Sequence, residues 1–229
     1  MHEYLAEHLA TDEKVKLGAY YTPSQLVSAV HTLIEPYLNN TCPVILDSAG
    51  GCGAFLFGHT ITDYRIAERD DLAYKYLVGK LDASKIFHTN SLEGVCREKF
   101  NIPQDAFLII IGNPPYNDVT SAFRHGKKGE IICDPDIKDR DLGISFLKSY
   151  DKMKANIICV LHPISYLIKE ANFKRLRSFA ANYTLLRGYV FSSSVFDGTG
   201  TGKFPIIISL YERNSTGMNY EYIRDFEFE

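Results

Sequence analysis

Residues 107–111 read FLIII, apolar at every position, and run directly into the pentapeptide GNPPY at 112–116. A half-exposed strand alternates apolar and polar residues, whereas a run with no polar face must be covered on both sides. The segment is strand-sized, far short of the roughly 18 apolar residues that cross a membrane. Similar runs stand at 43–47 (PVILD) and 156–163 (NIICVLHP). Further strands are predicted at 62–68, 85–90, 184–191 and 203–213, and a half-exposed one at 218–229, where MNYEYIRDFEFE alternates. Helical spacing of apolar residues predicts helices over 2–16, 24–37 (ending at Pro36), 54–60, 70–81, 142–154 and 166–182. Residues 117–140 read as a long polar loop. Two-sided apolar strands alternating with helices imply an α/β fold, a mostly parallel sheet with helices on both faces.

The length, 229 residues, suits one large domain, and 45% apolar with 23% charged residues is an ordinary globular mixture. The charged N-terminus, MHEYLAEHLATDEK, has no apolar signal core, so a cytoplasmic location is expected. Five cysteines (Cys42, Cys52, Cys96, Cys133, Cys159) form no CxxC pair, and no Cys/His cluster has zinc spacing, so reduced thiols and no metal are expected. The net charge of −3 lacks the basic excess that phosphate neutralisation often brings to nucleic-acid binders. Any DNA footprint must then be local or supplied by another domain. Two local candidates are Lys169, Lys174, Arg175, Arg177 and Arg187, and the loop cations Arg124, His125, Lys127 and Lys128. A solvated helix face is the plainer account of the first set.

Two segments carry chemistry. In VILDSAGGCGAF an acid, Asp47, ends a buried strand, and Gly50, Gly51 and Gly53 follow. Glycines let a backbone turn sharply and approach a ligand closely. A second acid, Glu68, closes the next strand, where dinucleotide folds hold ribose hydroxyls. The spacing departs from GxGxxG, which tilts against a nicotinamide cofactor. In Asn113-Pro114-Pro115-Tyr116, at the carboxyl end of the central strand, two prolines stiffen the backbone and give up two N–H donors. Carbonyls and the Asn113 amide oxygen are left as acceptors beside the flat face of Tyr116. Such a site suits a planar group carrying an NH₂.

These residues resemble the class I S-adenosylmethionine-dependent methyltransferases. More narrowly, the chain is similar to the N6-adenine DNA methyltransferases of restriction–modification systems in which the catalytic region comes first. The resemblance rests on GAYYTP (18–23), DSAGGCGAF (47–55), Glu68 and GNPPY (112–116), in that order, and covers about 18 to 213. It implies a Rossmann-like fold whose seven strands run in the order 3-2-1-4-5-7-6, the seventh antiparallel. It implies S-adenosylmethionine as cofactor and methyl transfer to N6 of adenine in double-stranded DNA. Residue by residue, Tyr21, Thr22 and Pro23 would close over the cofactor. Asp47, Ala49, Gly51 and Gly53 would cradle its methionine end, Glu68 would hold the ribose, and Asn90 would meet its adenine. Asn113, which would also border the cofactor, and the carbonyl of Pro114 would accept the two hydrogens of the target amine, Pro115 would stiffen the turn, and Tyr116 would stack on the flipped base. Phe196, with Phe191 second, would be the aromatic on the base's other face. The segment departs from the family's D-P-A-C-G-S-G at Ser48, Gly50 and Cys52, and Asn90 stands where an aspartate is usual.

The expected organisation is one catalytic domain over 1–229, with a helical segment at 1–40 and the family's target-recognition domain missing or on a separate subunit. Methylation of a protein glutamine or of RNA adenine would fit the same acceptor pair. An inactive relative serving as a binding subunit is the alternative from a different class.

Overall fold

The computed structural model describes residues 22–56, 61, 63–116, 132–196 and 203–229. The expected helix at 2–16, Tyr21 and the loop cations at 124–128 lie outside them. A single sheet contains β1 (Val44–Asp47), β2 (Tyr64–Glu68), β3 (Ile86–His88), β4 (Leu108–Gly112), β5 (Ile157–Pro163), β6 (Tyr183–Ser192) and β7 (Pro205–Arg213). The strand order is β3-β2-β1-β4-β5-β7-β6. β1 to β5 are mutually parallel, and β7 runs antiparallel to both β5 and β6. β1 and β4 are buried along their whole length, as strands with no polar face must be.

Helices α1 (Ser24–Thr41), α2 (Asp71–Val78) and α3 (Leu142–Lys152) cover the sheet. Asp70 and Asp141 cap α2 and α3, each accepting first-turn amides. α1 corrects one expectation, because Pro36 lies inside it rather than at its end. Pro36 is on the exposed side, while Val27, Val30, Leu33 and Ile34 anchor the helix in the core. That packing offsets the roughly 3 kcal/mol an interior proline costs.

Three further expectations change. The helix expected over 166–182 is broken into α4 (Ser165–Ile168), α5 (Glu170–Phe173), a 3₁₀ turn (Lys174–Leu176) and α6 (Arg177–Asn182). Lys169 is extended, and the tight turn keeps Phe173, Leu176 and Phe179, spaced by three, in the core. The half-exposed strand expected at 218–229 is a short helix, α7 (Tyr220–Arg224), because the Asn219 side chain caps it. Only the end of the tail is sheet-like: Glu229 N–H donates to Gly188 O and Val190 N–H to Glu229 O. The helix expected from 54 shows only turns over 51–56, and 57–60 lie outside the described residues. No helix among the described residues is long and apolar enough to cross a membrane.

Candidate active site

The site has two halves, at the carboxyl ends of β1 and β4, which are hydrogen-bonded neighbours with Asp47 opposite Ile111. Open α/β sheets bind ligands at this end.

The first half is the glycine turn. Gly50 N–H donates to Ala67 O (3.0 Å), and a Cβ on Gly50 would lie 2.2 Å from the Ile66 side chain. Only glycine lets the turn rest on β2. Gly51 has φ +52°, and a Cβ there would meet nothing within 4 Å, so open space adjoins the turn. Asp47 is buried, and its Oδ1 accepts the Ala49 N–H at 3.1 Å. Burial pushes its carboxyl up to about 7; the Ala49 amide opposes the shift and the Glu68 charge adds to it. Glu68 accepts three backbone amides, Gly51 (2.6 Å) on Oε2 and Arg69 and Asp70 (both 2.7 Å) on Oε1. A carboxylate offers about four acceptor sites, so one remains for a hydroxyl. Asn90 accepts from Leu92 N–H and donates to Ile132 O (2.7 Å), which turns its side chain toward the segment entering α3. Ser48 hydrogen-bonds the buried Tyr150 hydroxyl at 3.0 Å. Tyr150 was not singled out from the sequence. Its position on α3, facing the glycine turn, is visible only once the helix is packed.

The second half is the pentapeptide. Gly112 has φ +145°, and a Cβ on it would stand 2.8 Å from Asp47 Oδ1. The end of β4 therefore passes directly over the Asp47 carboxyl and joins the two halves. Asn113 Nδ2 donates to Thr22 Oγ1 at 3.3 Å. Its Oδ1 is buried and has no hydrogen-bond partner among the described residues. Thr22 is buried against this asparagine, and Pro23 begins α1 by accepting the Leu26 and Val27 amides. Pro114 is buried and Pro115 half-buried. Tyr116 is 9% exposed, and the Phe204 ring meets it edge-on, centroids 6.2 Å apart. Phe204 was not anticipated; its only signal was an aromatic two residues before the apolar run of β7. Phe196 is buried with its ring 6.2 Å from Phe191.

Three of the five cations suggested at 169–187 are ion-paired within the chain. Lys174 pairs with Glu170, Arg175 with Asp139 and Arg187 with Glu229. A solvated, ion-paired surface describes them better than a phosphate track. No group of three or more His, Cys, Asp or Glu able to hold a metal occurs among the described residues.

Residues 1–80 match the family described as N-6 DNA Methylase. No curated protein matches the chain. Among solved structures it is similar to a modification subunit attributed to a type I restriction enzyme from Vibrio vulnificus YJ016. Identity is 15% over 98% of this chain and 55% of that one, with a TM-score of 0.63. It is also similar to the M protein of the type I restriction enzyme EcoKI, at 16% identity over 89% of this chain and 46% of that one (TM-score 0.61). A third is a Listeria monocytogenes structure assigned as a class I S-adenosylmethionine-dependent methyltransferase, at 15% identity over 86% of this chain and 62% of that one (TM-score 0.61). The chain thus spans about half the length of the first two. Its fold is that of the class I S-adenosylmethionine-dependent methyltransferases, and its first 80 residues carry the sequence pattern of the N-6 DNA methylases.

Proposed function

We propose that this chain is the catalytic part of an adenine-specific DNA methyltransferase of a restriction–modification system, using S-adenosylmethionine to methylate N6 of adenine. The observation that carries the proposal is Asn113 Oδ1, a buried acceptor without a donor among the described residues. Leaving such an atom unpaired costs roughly 1–3 kcal/mol, so a site that tolerates it is shaped for a donor arriving from outside. The N–H of an exocyclic amine is such a donor.

The residues present fit the cofactor. Open space adjoins Gly51, and no cation pairs with the buried Asp47 among the described residues, which suits a methionine ammonium. Asp47, Ala49, Gly51 and Gly53 would hold that end, Glu68 the ribose and Asn90 the adenine. Tyr21, Thr22 and Pro23 would close over them. When bound, S-adenosylmethionine supplies an electrophilic methyl group on a sulfonium.

The chain's own residues do the rest. An adenine N6 lone pair is delocalised into the ring and is a poor nucleophile. Asn113 Oδ1 and the Pro114 carbonyl accept its two hydrogens and favour tetrahedral nitrogen, which frees the lone pair. Pro115 stiffens the turn. Positioning supplies much of the acceleration. Extruding the base costs a few kcal/mol, and stacking on Tyr116 returns about 1–3 kcal/mol. Phe196 was the expected second aromatic; the contact with Tyr116 makes Phe204 a competitor for that role. The partners proposed are double-stranded DNA and a target-recognition domain or subunit. The match of residues 1–80 favours DNA over a protein glutamine or RNA.

The test is labelled-methyl transfer to unmethylated genomic DNA. Asn113→Ala should lose at least 100-fold in turnover while binding S-adenosylmethionine within about twofold of wild type. Normal turnover in that variant defeats the proposed mechanism.

A further inference from the structure

Gly143 lies in the first turn of α3 and is buried. Helix propensity argues against it, since glycine there costs about 0.5–1 kcal/mol relative to alanine. Space explains it. A Cβ on Gly143 would stand 2.5 Å from Tyr166 Oη, 2.9 Å from Tyr166 Cε2 and 3.0 Å from Tyr116 Cβ. Two tyrosines from different parts of the fold therefore converge on one α-carbon, and the contact with Tyr116 is at the root of its side chain, which cannot swing aside.

The Tyr166 ring is itself immobilised. Its hydroxyl donates to Asp141 Oδ1, the same oxygen that accepts the Gly143 N–H at 3.1 Å in capping α3. Burial and then the Asp141 charge hold that hydroxyl protonated, so it remains a donor. The ring stacks on His162, with centroids 5.4 Å apart and planes 13° apart. His162 is buried, accepts or donates at 2.8 Å to the Tyr211 hydroxyl, and is kept neutral by burial. The stack meets Tyr116 at Gly143, where Tyr166 and the root of the Tyr116 side chain crowd the same Cβ position.

We propose that Gly143 and the Tyr166 hydroxyl are positioning residues that set the orientation of Tyr116, and through it the plane in which a target base is held. The proposal rests on the base-stacking role given to Tyr116 above. Gly143→Ala pushes Tyr116 outward. Tyr166→Phe keeps the stack but frees the ring from Asp141.

Both variants are compared with wild type in the full chain by three measurements. These are labelled-methyl transfer to unmethylated genomic DNA, S-adenosylmethionine affinity by calorimetry, and the ¹⁹F spectrum of protein labelled with 3-fluorotyrosine, Tyr116 assigned by Tyr116→Phe. A misplacement of about 1 Å can cost 100-fold. Gly143→Ala requires Tyr116 to give by only a few tenths of an ångström, so the expected kcat loss is about tenfold for each variant. KM for DNA and cofactor affinity should stay within twofold, and the Tyr116 resonance should shift in both. A merely structural role would lower kcat only in proportion to the fraction that binds cofactor, and that result overturns the proposal, as does wild-type kcat. If wild type transfers no methyl group to DNA, the base-stacking role fails instead, and the spectrum still decides whether Gly143 and Tyr166 set Tyr116: a shifted resonance supports it and an unmoved one rejects it.

Discussion

Asp47→Asn should make the protein more stable and a worse cofactor binder. The Asp47 carboxyl has an ordinary value of 3.8 and is pushed up to about 7 in the fold, first by burial. The sign follows from proton counting. Between pH 4 and 7 the folded chain keeps a proton that the unfolded chain has released, so stability falls as pH rises through that window and levels off above it. Three units at 1.36 kcal/mol each make the full cost about 4 kcal/mol, of which about 3 kcal/mol accumulates between pH 5 and pH 8. Asparagine carries no charge and can still accept the Ala49 N–H through its oxygen. Its new NH₂, if left unpaired, costs about 1–3 kcal/mol. The net gain at pH 8 is then about 1–3 kcal/mol, a rise of roughly 2–12 °C in Tm for a chain of this length. The assay is urea unfolding of both proteins at pH 5, 6, 7 and 8 without cofactor. The difference in stability should grow by about 3 kcal/mol across that range. Calorimetry at pH 8 should show S-adenosylmethionine affinity reduced at least tenfold in the variant. Parallel stability curves from pH 5 to 8 would refute the argument, because a carboxyl that titrates normally gives no slope there.

Two other perturbations separate structural from functional residues. Arg97 is buried and donates to five backbone carbonyls: Met153 (2.8 Å), Pro103 (3.1 Å), Gln104 (3.1 Å), Ala106 (2.8 Å) and Lys154 (2.8 Å). Arg97→Met keeps the length and orphans the carbonyls, so urea unfolding should show a loss of about 3–5 kcal/mol; a loss below 1 kcal/mol would mean that water replaces the donors. Phe204→Ala should lower turnover on DNA about tenfold with little change in Tm, since Phe204 is 36% exposed. Phe196→Ala, at a buried position, should cost about 3–5 kcal/mol in stability. Turnover lost only in Phe196→Ala among molecules that still bind cofactor would restore Phe196 as the second aromatic.

The sheet was legible because its signal is local. Val44–Leu46 and Leu108–Ile111 are apolar at every position, and their burial on both sides is what such runs demand. The turn after β1 was legible because three glycines in four residues permit the positive φ that Gly51 and Gly53 adopt. What escaped depends on choices that neighbours make. Asn219 can cap a helix, and that one side chain overrode the alternation of MNYEYIRDFEFE. Pro36 ends a helix in isolation, but four buried residues ahead of it held the helix together. The solvated face expected at 169–187 agrees with the pairing of Lys174, Arg175 and Arg187, but two of the partners, Asp139 and Glu229, are too distant in sequence to be read from it. Tyr150, Tyr166 and Phe204 carry no motif; their roles exist only through what they touch.

The two halves of the site share a wall, and this bears on how they act together. Asp47 Oδ1 lies where a Gly112 side chain would begin, one residue before Asn113. The carboxyl that would meet the cofactor's ammonium therefore lies against the backbone that aims the acceptor oxygen. A cation arriving beside Asp47 lowers its proton affinity, so the charge in that wall would change on binding of a cofactor whose ammonium lies there. Because close-packed interiors transmit strain rather than absorb it, the position of Asn113 should be sensitive to that event. Coupling of this kind predicts that the acceptor base is bound more tightly by the cofactor-loaded protein, and that Asp47→Asn removes the difference. Equal DNA affinity with and without S-adenosylmethionine in the wild-type chain would show that the shared wall carries no such coupling.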